Sequence, residues 1–304
     1  MIKRILISSV VGLALTSIVS ARVPLVVADI PPTYSLVAQV MKGVGQPHLI
    51  VRVGASPHAY MMRPSDAAAI ESADLVFLIS HKLTPWLGAA LKTLGKNAQV
   101  LELMDVNGST VLPYREADTF KPHSHDGGQQ QLDGNKTDPH GWLDPENGKT
   151  WIDVIATELS KLDPENARTY FENADHGKVN IDTVASEIEA ILKPFLGVNF
   201  IVSHDAYQYF EKHFSISAAG SISSSDASNP SPSRLEQIRK TVEILSVRCV
   251  FSEPQFNPGL ISSVIDGTQA TAWVIDPLGT KFPPSHDFYL NLLRNLGQSL
   301  ASCL

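Results

Sequence analysis

The sequence predicts an α/β protein: two (β/α) lobes with mainly parallel sheets, joined by one long connecting helix. Three observations carry that expectation. Short valine- and isoleucine-rich runs alternate with segments whose apolar residues recur every three or four positions, the pattern of β-α-β units. The alternation stops near residue 163 and resumes near residue 195. Between these points Tyr170, Ala174, Gly177, Ile181, Val184, Ile188 and Ile191 recur at steps of four and three, one apolar stripe along one helix.

The first 21 residues read as a secretory signal peptide. Lys3 and Arg4 form a basic start, residues 5–18 are mostly apolar, and Val19-Ser20-Ala21 offers small residues before a cut after Ala21. A membrane anchor is the competing reading. Its apolar run falls short of the roughly 20 residues a span needs, and Arg22 follows at once. No cysteine stands near the cut, so a free periplasmic protein is expected rather than a lipid-tethered one. Removing Lys3 and Arg4 takes the formal charge from -7 to -9, which disfavours nucleic acid and leaves no basic stripe for a membrane surface.

The first lobe is expected over 22–162. VPLVVADI (23–30) is a buried strand that Pro31-Pro32 ends. A helix follows over 34–44, with Leu36, Val37, Val40, Met41 and Val44 on one face, and then a strand over 48–53. Ser65 is expected to cap a helix over 66–73, with Asp66 near its positive end. Residues 74–79 (DLVFLI) form a third strand, 84–94 a helix and 98–103 a fourth strand. Residues 107–139 are polar and aperiodic and read as a mobile surface loop. Its His123 and His125 suit weak metal binding, or simply a solvated loop. DPHGWLDP (138–145) closes the loop before a helix over 149–162.

The connecting helix is placed at 163–194, about 28 helical residues or roughly 42 Å, with Gly177 and Asn180 inviting a kink. The second lobe, 195–304, repeats the pattern without a residue-level repeat. Strands are expected at 200–203, 215–221, 249–252 and 272–275; helices at 206–214, 257–266 and 287–301. Ser233 to Glu236 fits a capping box opening a further helix to Leu245.

Four residues collect chemical interest. His58, His140, His204 and Asp276 each stand just beyond a strand or at a loop entering a helix, separated by 82, 64 and 72 residues. That edge of an open α/β sheet is where ligands bind. With two candidates from each lobe, a metal ion between the lobes follows. Three imidazoles and a carboxylate suit Zn²⁺; copper and nickel also accept imidazole, whereas Mn²⁺ prefers more oxygen. His81 follows its strand much as His204 does and competes as a ligand. His48, His176, His213 and His286 read as structural or exposed. Glu253, in FSEPQF, suits a carboxylate orienting an imidazole. Cys249 and Cys303 read as a disulfide tying the C-terminal tail to a strand; a thiolate metal pair is the alternative, without a CxxC to support it.

GASPHAYMMRPSD, DPHGWLDP, FIVSHDAYQYF, FSEPQF and VIDPLGT, in this order, resemble the ZnuA-type family, periplasmic solute-binding subunits of bacterial ABC importers for transition metals. The resemblance covers nearly the whole chain beyond the signal peptide. It implies two lobes around one rigid helix, metal in the cleft, and His58, His140 and His204 as ligands. It matches Asp276 to an aspartate that completes the site in some members and stays out of it in others. Manganese-type relatives carry glutamate at the position of His204, so zinc is implied as the transported ligand. The terminal cysteine pair also matches zinc-type members. Two departures stand out: Pro57 replaces a glutamate that can enter the metal shell, and the loop holds only His123 and His125 where many members have a long histidine run. The fourth ligand is then Asp276 or water. The implied partners are an inner-membrane permease and its ATPase, with the binding protein a monomer. A manganese or iron subunit or an adhesin of the same build is the alternative. A zinc hydrolase would need a base beside a bound water, a part only Asp276 or Glu253 could formally take.

Overall fold

The computed structural model describes residues 22–115, 120, 137–223, 230–255 and 258–304. The expected signal peptide, His123 and His125 lie outside the described residues.

Each half builds its own four-stranded sheet. β1 (Val26–Ala28), β2 (His48–Leu49), β3 (Leu75–Leu78) and β4 (Gln99–Glu102) pair in the order β2-β1-β3-β4. β5 (Phe200–His204), β6 (Ala218–Ser223), β7 (Cys249–Ser252) and β8 (Thr271–Val274) pair in the order β6-β5-β7-β8. All of these pairings are parallel. The second order repeats the first, so the halves share a topology although no residue repeat links them. Parallel neighbours need crossovers. α1 (Pro31–Val40), α2 (Pro64–Ser72) and α3 (Pro85–Leu94) supply them in the first sheet; α6 (Gln208–Phe214), α7 (Pro232–Ile244) and α8 (Pro258–Ile265) do so in the second.

α4 (Pro145–Leu162) leads to α5 (Ala167–Leu192), whose 26 residues span about 39 Å. The stripe Tyr170, Ala174, Gly177, Ile181, Val184 and Ile188 is buried and ends on Leu192 rather than Ile191. α5 packs against α1 and α4 on one side and α6 and α9 (Phe288–Cys303) on the other. The helix runs through Gly177 unbroken. A Cβ there would stand 2.9 Å from Ile152 Cδ1 and 3.1 Å from Gln39 Cγ, so the glycine admits close helix packing instead of a kink.

α9 crosses back over the first half. Tyr289 N donates to Ser35 Oγ (2.9 Å), and Ser35 Oγ donates to the His286 carbonyl (3.1 Å). Tyr289 Oη donates to the Trp142 carbonyl at 2.8 Å. At its far end a disulfide joins Cys303 to Cys249 on β7, as expected, with the Cα atoms 5.9 Å apart. One apolar core takes in β1, β3, α1, α4, α5, α9 and the inward residues Phe200, Val202 and Phe251 of the second sheet. The opposite face of that sheet, through Ile201 and Val250, packs a smaller core with Ile238 and Val264.

Several boundaries move, each for a local reason. α2 begins at Pro64, so Ser65 is inside it and Arg63 is the cap residue; the Asp66 carboxylate reaches back to Arg63 N at 3.0 Å. α4 begins four residues before Lys149 because Asp144 caps it, accepting from Glu146 N at 3.0 Å, with Pro145 at the first position. α7 is capped by Ser231, not Ser233, again with proline next. β6 starts at Ala218 because Ser215, at φ 55°, ends α6 in the left-handed conformation.

Candidate metal centre between the lobes

The four candidates come from four separate stretches of the chain: His58, His140 and Asp276 from loops and His204 from the end of β5. His140 opens a short 3-10 turn, Gly141–Leu143, which feeds directly into α4. Glycine at 141 lets the turn pack closely: a Cβ there would run into Met104 Sδ and force that side chain to move. The His140 ring is 5% exposed and is fixed through Nδ1, 2.6 Å from Asp138 Oδ1. Asp138 Oδ2 in turn accepts from Gln208 Nε2 of the other half at 3.2 Å. His204 ends β5, 3% exposed, with Nδ1 2.7 Å from Glu253 Oε1 at the end of β7. β5 and β7 are the neighbours at which strand order reverses, the crevice where open sheets bind ligands. His58 is half-buried on a turn braced by Trp86, whose indole N–H donates to the Pro57 carbonyl at 2.8 Å.

These rings meet. The centroids of His58 and His140 are 5.8 Å apart, and those of His140 and His204 are 5.3 Å apart. Imidazoles bound through one nitrogen at about 2.0–2.1 Å to a tetrahedral centre hold their centroids roughly 5.3 Å apart. Carboxylates accept only, so Nδ1 carries the proton on His140 and His204 and Nε2 is the nitrogen suited to a metal. The three histidines line one cavity with Pro57, Trp142, Gln255, Pro277 and Leu278. Its free volume is about 10 Å³, room for about one water-sized particle and far below the roughly 300 Å³ at which sites for small organic ligands begin. Among the described residues, no three His, Cys, Asp or Glu side chains already form a group able to hold a metal. Closure onto an ion therefore takes side-chain adjustment within this cavity.

Asp276 follows β8 and is 5% exposed, but its carboxylate serves its own turn. Oδ1 accepts from Leu278 N (3.1 Å), and Oδ2 accepts from Thr280 N (2.6 Å) and Thr280 Oγ1 (2.7 Å). Those bonds shape the segment that places Pro277 and Leu278 in the cavity wall. The Pro277 carbonyl accepts from Trp142 Nε1 at 3.0 Å, so the wall from the second half is tied to the His140 turn.

His81 stands elsewhere. Its ring is 2.8 Å from Glu102 and its side chain 59% exposed, on a groove along α3 and β4. His48 and His213 pair with Asp66 and Asp144, and His176 is exposed on α5.

The described ends of the 107–139 segment, residues 107–115 and 137–139, are hydrogen-bonded to α6. Leu112 N donates to Tyr209 Oη (2.9 Å), Gln208 Nε2 to the Pro113 carbonyl (2.8 Å), and Tyr209 Oη to the Asp138 carbonyl (2.8 Å). Arg115 is gripped by Asp205 and by Glu211 (2.7 and 3.0 Å), with its guanidinium 3.6 Å from the Phe120 ring centroid. Burial alone would lower the Arg115 pKa, but Glu211 and Asp205 outweigh it and raise it. Burial pushes the Asp205 carboxyl up, against the opposing pull of Arg115. A cationic anchor thus ties the root of the segment to the residue beside His204. Sequence reading missed Asp138, Gln208, Arg115 and Gln255. Only Asp138 left a signal, the D-x-H spacing that lets a carboxylate fold back on an imidazole two residues on.

Residues 26–303 match the family model described as zinc-uptake complex component A, periplasmic. The chain belongs to the ZnuA family. The high-affinity zinc uptake system protein ZnuA of Brucella abortus (strain 2308) is 40% identical, over 92% of this chain and 91% of its own. The protein of that name from Paracoccus denitrificans (strain Pd 1222) is 37% identical, over 93% of each chain. Among solved structures, the AdcAII protein of Streptococcus pneumoniae superposes with a TM-score of 0.75 at 25% identity, over 94% of this chain and all of that one. The fold, with two parallel sheets about one long helix, is that of the ZnuA family.

Proposed function

We propose that this ZnuA-family protein captures Zn²⁺ in the cleft between its two lobes, in the periplasm, and delivers it to the permease of an ABC importer. One observation carries the reading: three imidazoles, two from loops and one from the end of β5, converge on one small cavity, and two of them are oriented by buried carboxylates through Nδ1. His58, His140 and His204 are the proposed ligands, and Asp276 holds the wall segment beside them. The lobes are proposed as 22–162 and 195–304 about the connector at 163–194, with 1–21 removed on export. Among the described residues no helix is long and apolar enough to cross a membrane. The protein works as a monomer beside a permease and its ATPase.

The reading assigns no catalytic step. Glu253 already accepts from Ser203 Oγ (2.8 Å), His204 Nδ1 (2.7 Å) and Gln255 Nε2 (2.7 Å), and Asp276 is engaged by its turn. Neither is placed as a base for a bound water. A manganese or iron subunit is disfavoured, because an imidazole-rich set suits zinc better than metals that want oxygen.

The deciding experiment is a competition titration of Zn²⁺ against Mn²⁺, paired with melting. Zinc at 100 times its Kd should stabilise the protein by about 2.7 kcal/mol, and a large excess of manganese should not displace it. No zinc-dependent melting shift, or displacement by equimolar manganese, overturns the assignment.

A further inference from the structure

We infer that Gln255 sets the fourth coordination position of the bound zinc by accepting a hydrogen bond from a water on the metal. The inference rests on the three-histidine reading above.

The argument starts from Glu253. Its Oε1 takes the Ser203 hydroxyl and the His204 imidazole, and its Oε2 lies 2.7 Å from Gln255 Nε2. A carboxylate can only accept, so the amide must turn its NH₂ toward Glu253. The carbonyl Oε1 of Gln255 is then directed away from that carboxylate. It is buried and has no hydrogen-bond partner among the described residues. Gln255 lines the same cavity as His58, His140 and His204. A buried amide oxygen left unpaired is unfavourable unless something brings it a proton.

Zinc supplies that need. It is held four-coordinate in most sites, and three imidazoles leave one position. Pro57 lends no carboxylate, and the Asp276 oxygens are already engaged by Leu278 and Thr280. A water in the fourth position is a strong donor, because the ion raises its acidity. An amide oxygen accepts that bond without adding charge, so the neutral shell keeps the ion's positive charge for later release. One carboxylate thus orients both the His204 ligand and the acceptor for the water. A four-coordinate shell with one oxygen donor also favours zinc over manganese, which would seek more oxygens.

The test uses the full chain, with Zn²⁺ titrated against a competing chelator in wild type, Gln255→Leu, Gln255→Ala and His204→Ala. Absorption spectra of Co²⁺-loaded protein are recorded with and without azide, which replaces a bound water. Wild type should show an azide-dependent spectrum. Both Gln255 variants should lose about 10- to 100-fold in zinc affinity and show an altered cobalt spectrum, with a somewhat lower metal-free Tm because Glu253 Oε2 loses its donor. Wild-type affinity and spectrum in both Gln255 variants, with binding lost in His204→Ala, overturns this inference and leaves the three-histidine site standing. A cobalt spectrum indifferent to azide also overturns it, since the fourth position would then belong to a protein atom. Retained binding in His204→Ala removes the site reading itself.

Discussion

At the scale of single residues, the site separates ligand candidates by what holds them. His140 and His204 are buried and braced by Asp138 and Glu253, whereas His81 is exposed and paired with Glu102. His204→Ala should weaken zinc binding more than about 100-fold, beyond the usual effect of losing an outer-shell partner; His81→Ala should leave the titration unchanged. Asp29, at the end of β1, shows the opposite face of burial. Desolvation pushes its carboxyl from 3.8 to about 6, against hydrogen bonds from the backbone N–H groups of Ile79 and Ile30. A carboxyl raised in the folded state contributes stability below its unfolded pKa, and that contribution fades as pH rises through the folded value. Wild type should therefore lose stability relative to Asp29→Asn between pH 3.8 and about 6, read as the difference in Tm across that window. The histidines were legible in the sequence because their positions, at a strand end for His204 and in turns before helices for His58 and His140, are local facts. The partners of their Nδ1 atoms were less so. Glu253 sits 49 residues from His204, and only its FSEPQF setting hinted at the contact. Gln255 carried no hint, since an amide acquires meaning only from the carboxylate it faces.

At the scale of elements, valine-rich runs and 3.6-residue periodicity located the strands and helices, and caps moved their ends. Pro64, Pro145 and Pro232 each occupy a first helical position, a signal present in the sequence and passed over there for serine caps at 65 and 233 and for the first apolar repeat after 149. What no local pattern shows is which helices touch. Gly148 on α4 is the clearest case: a Cβ would come within 2.6 Å of Tyr289 Oη and 2.8 Å of its ring. That ring belongs to α9 and cannot bend away without releasing the Trp142 carbonyl. Gly148→Ala should destabilise by about 1–3 kcal/mol, the usual cost of overpacking, measured as a lower denaturation midpoint at unchanged slope.

At the scale of the whole molecule, the two sheets are copies in topology, and the proposed ion sits where their carboxyl edges face. The shared core around α5 leaves little for the lobes to hinge on, so metal loading should change the radius of gyration only slightly, as scattering with and without zinc will show. The fold class was readable because each half repeats a complete β-α-β grammar. The return of α9 onto α1 was not, because an apolar helical stripe names no partner. That return has a consequence for exchange with solvent. A final helix ordinarily frays, giving up its amide protons in seconds. α9 is instead tied to Ser35 on α1, to the Trp142 carbonyl beside His140, and through Cys303 to β7. It cannot open alone. Its amides should trade hydrogen for deuterium as slowly as those of β3 and β5 under oxidising conditions, and the last turn of α9 should label faster once Cys249–Cys303 is reduced, while its start stays protected by the ties at Tyr289.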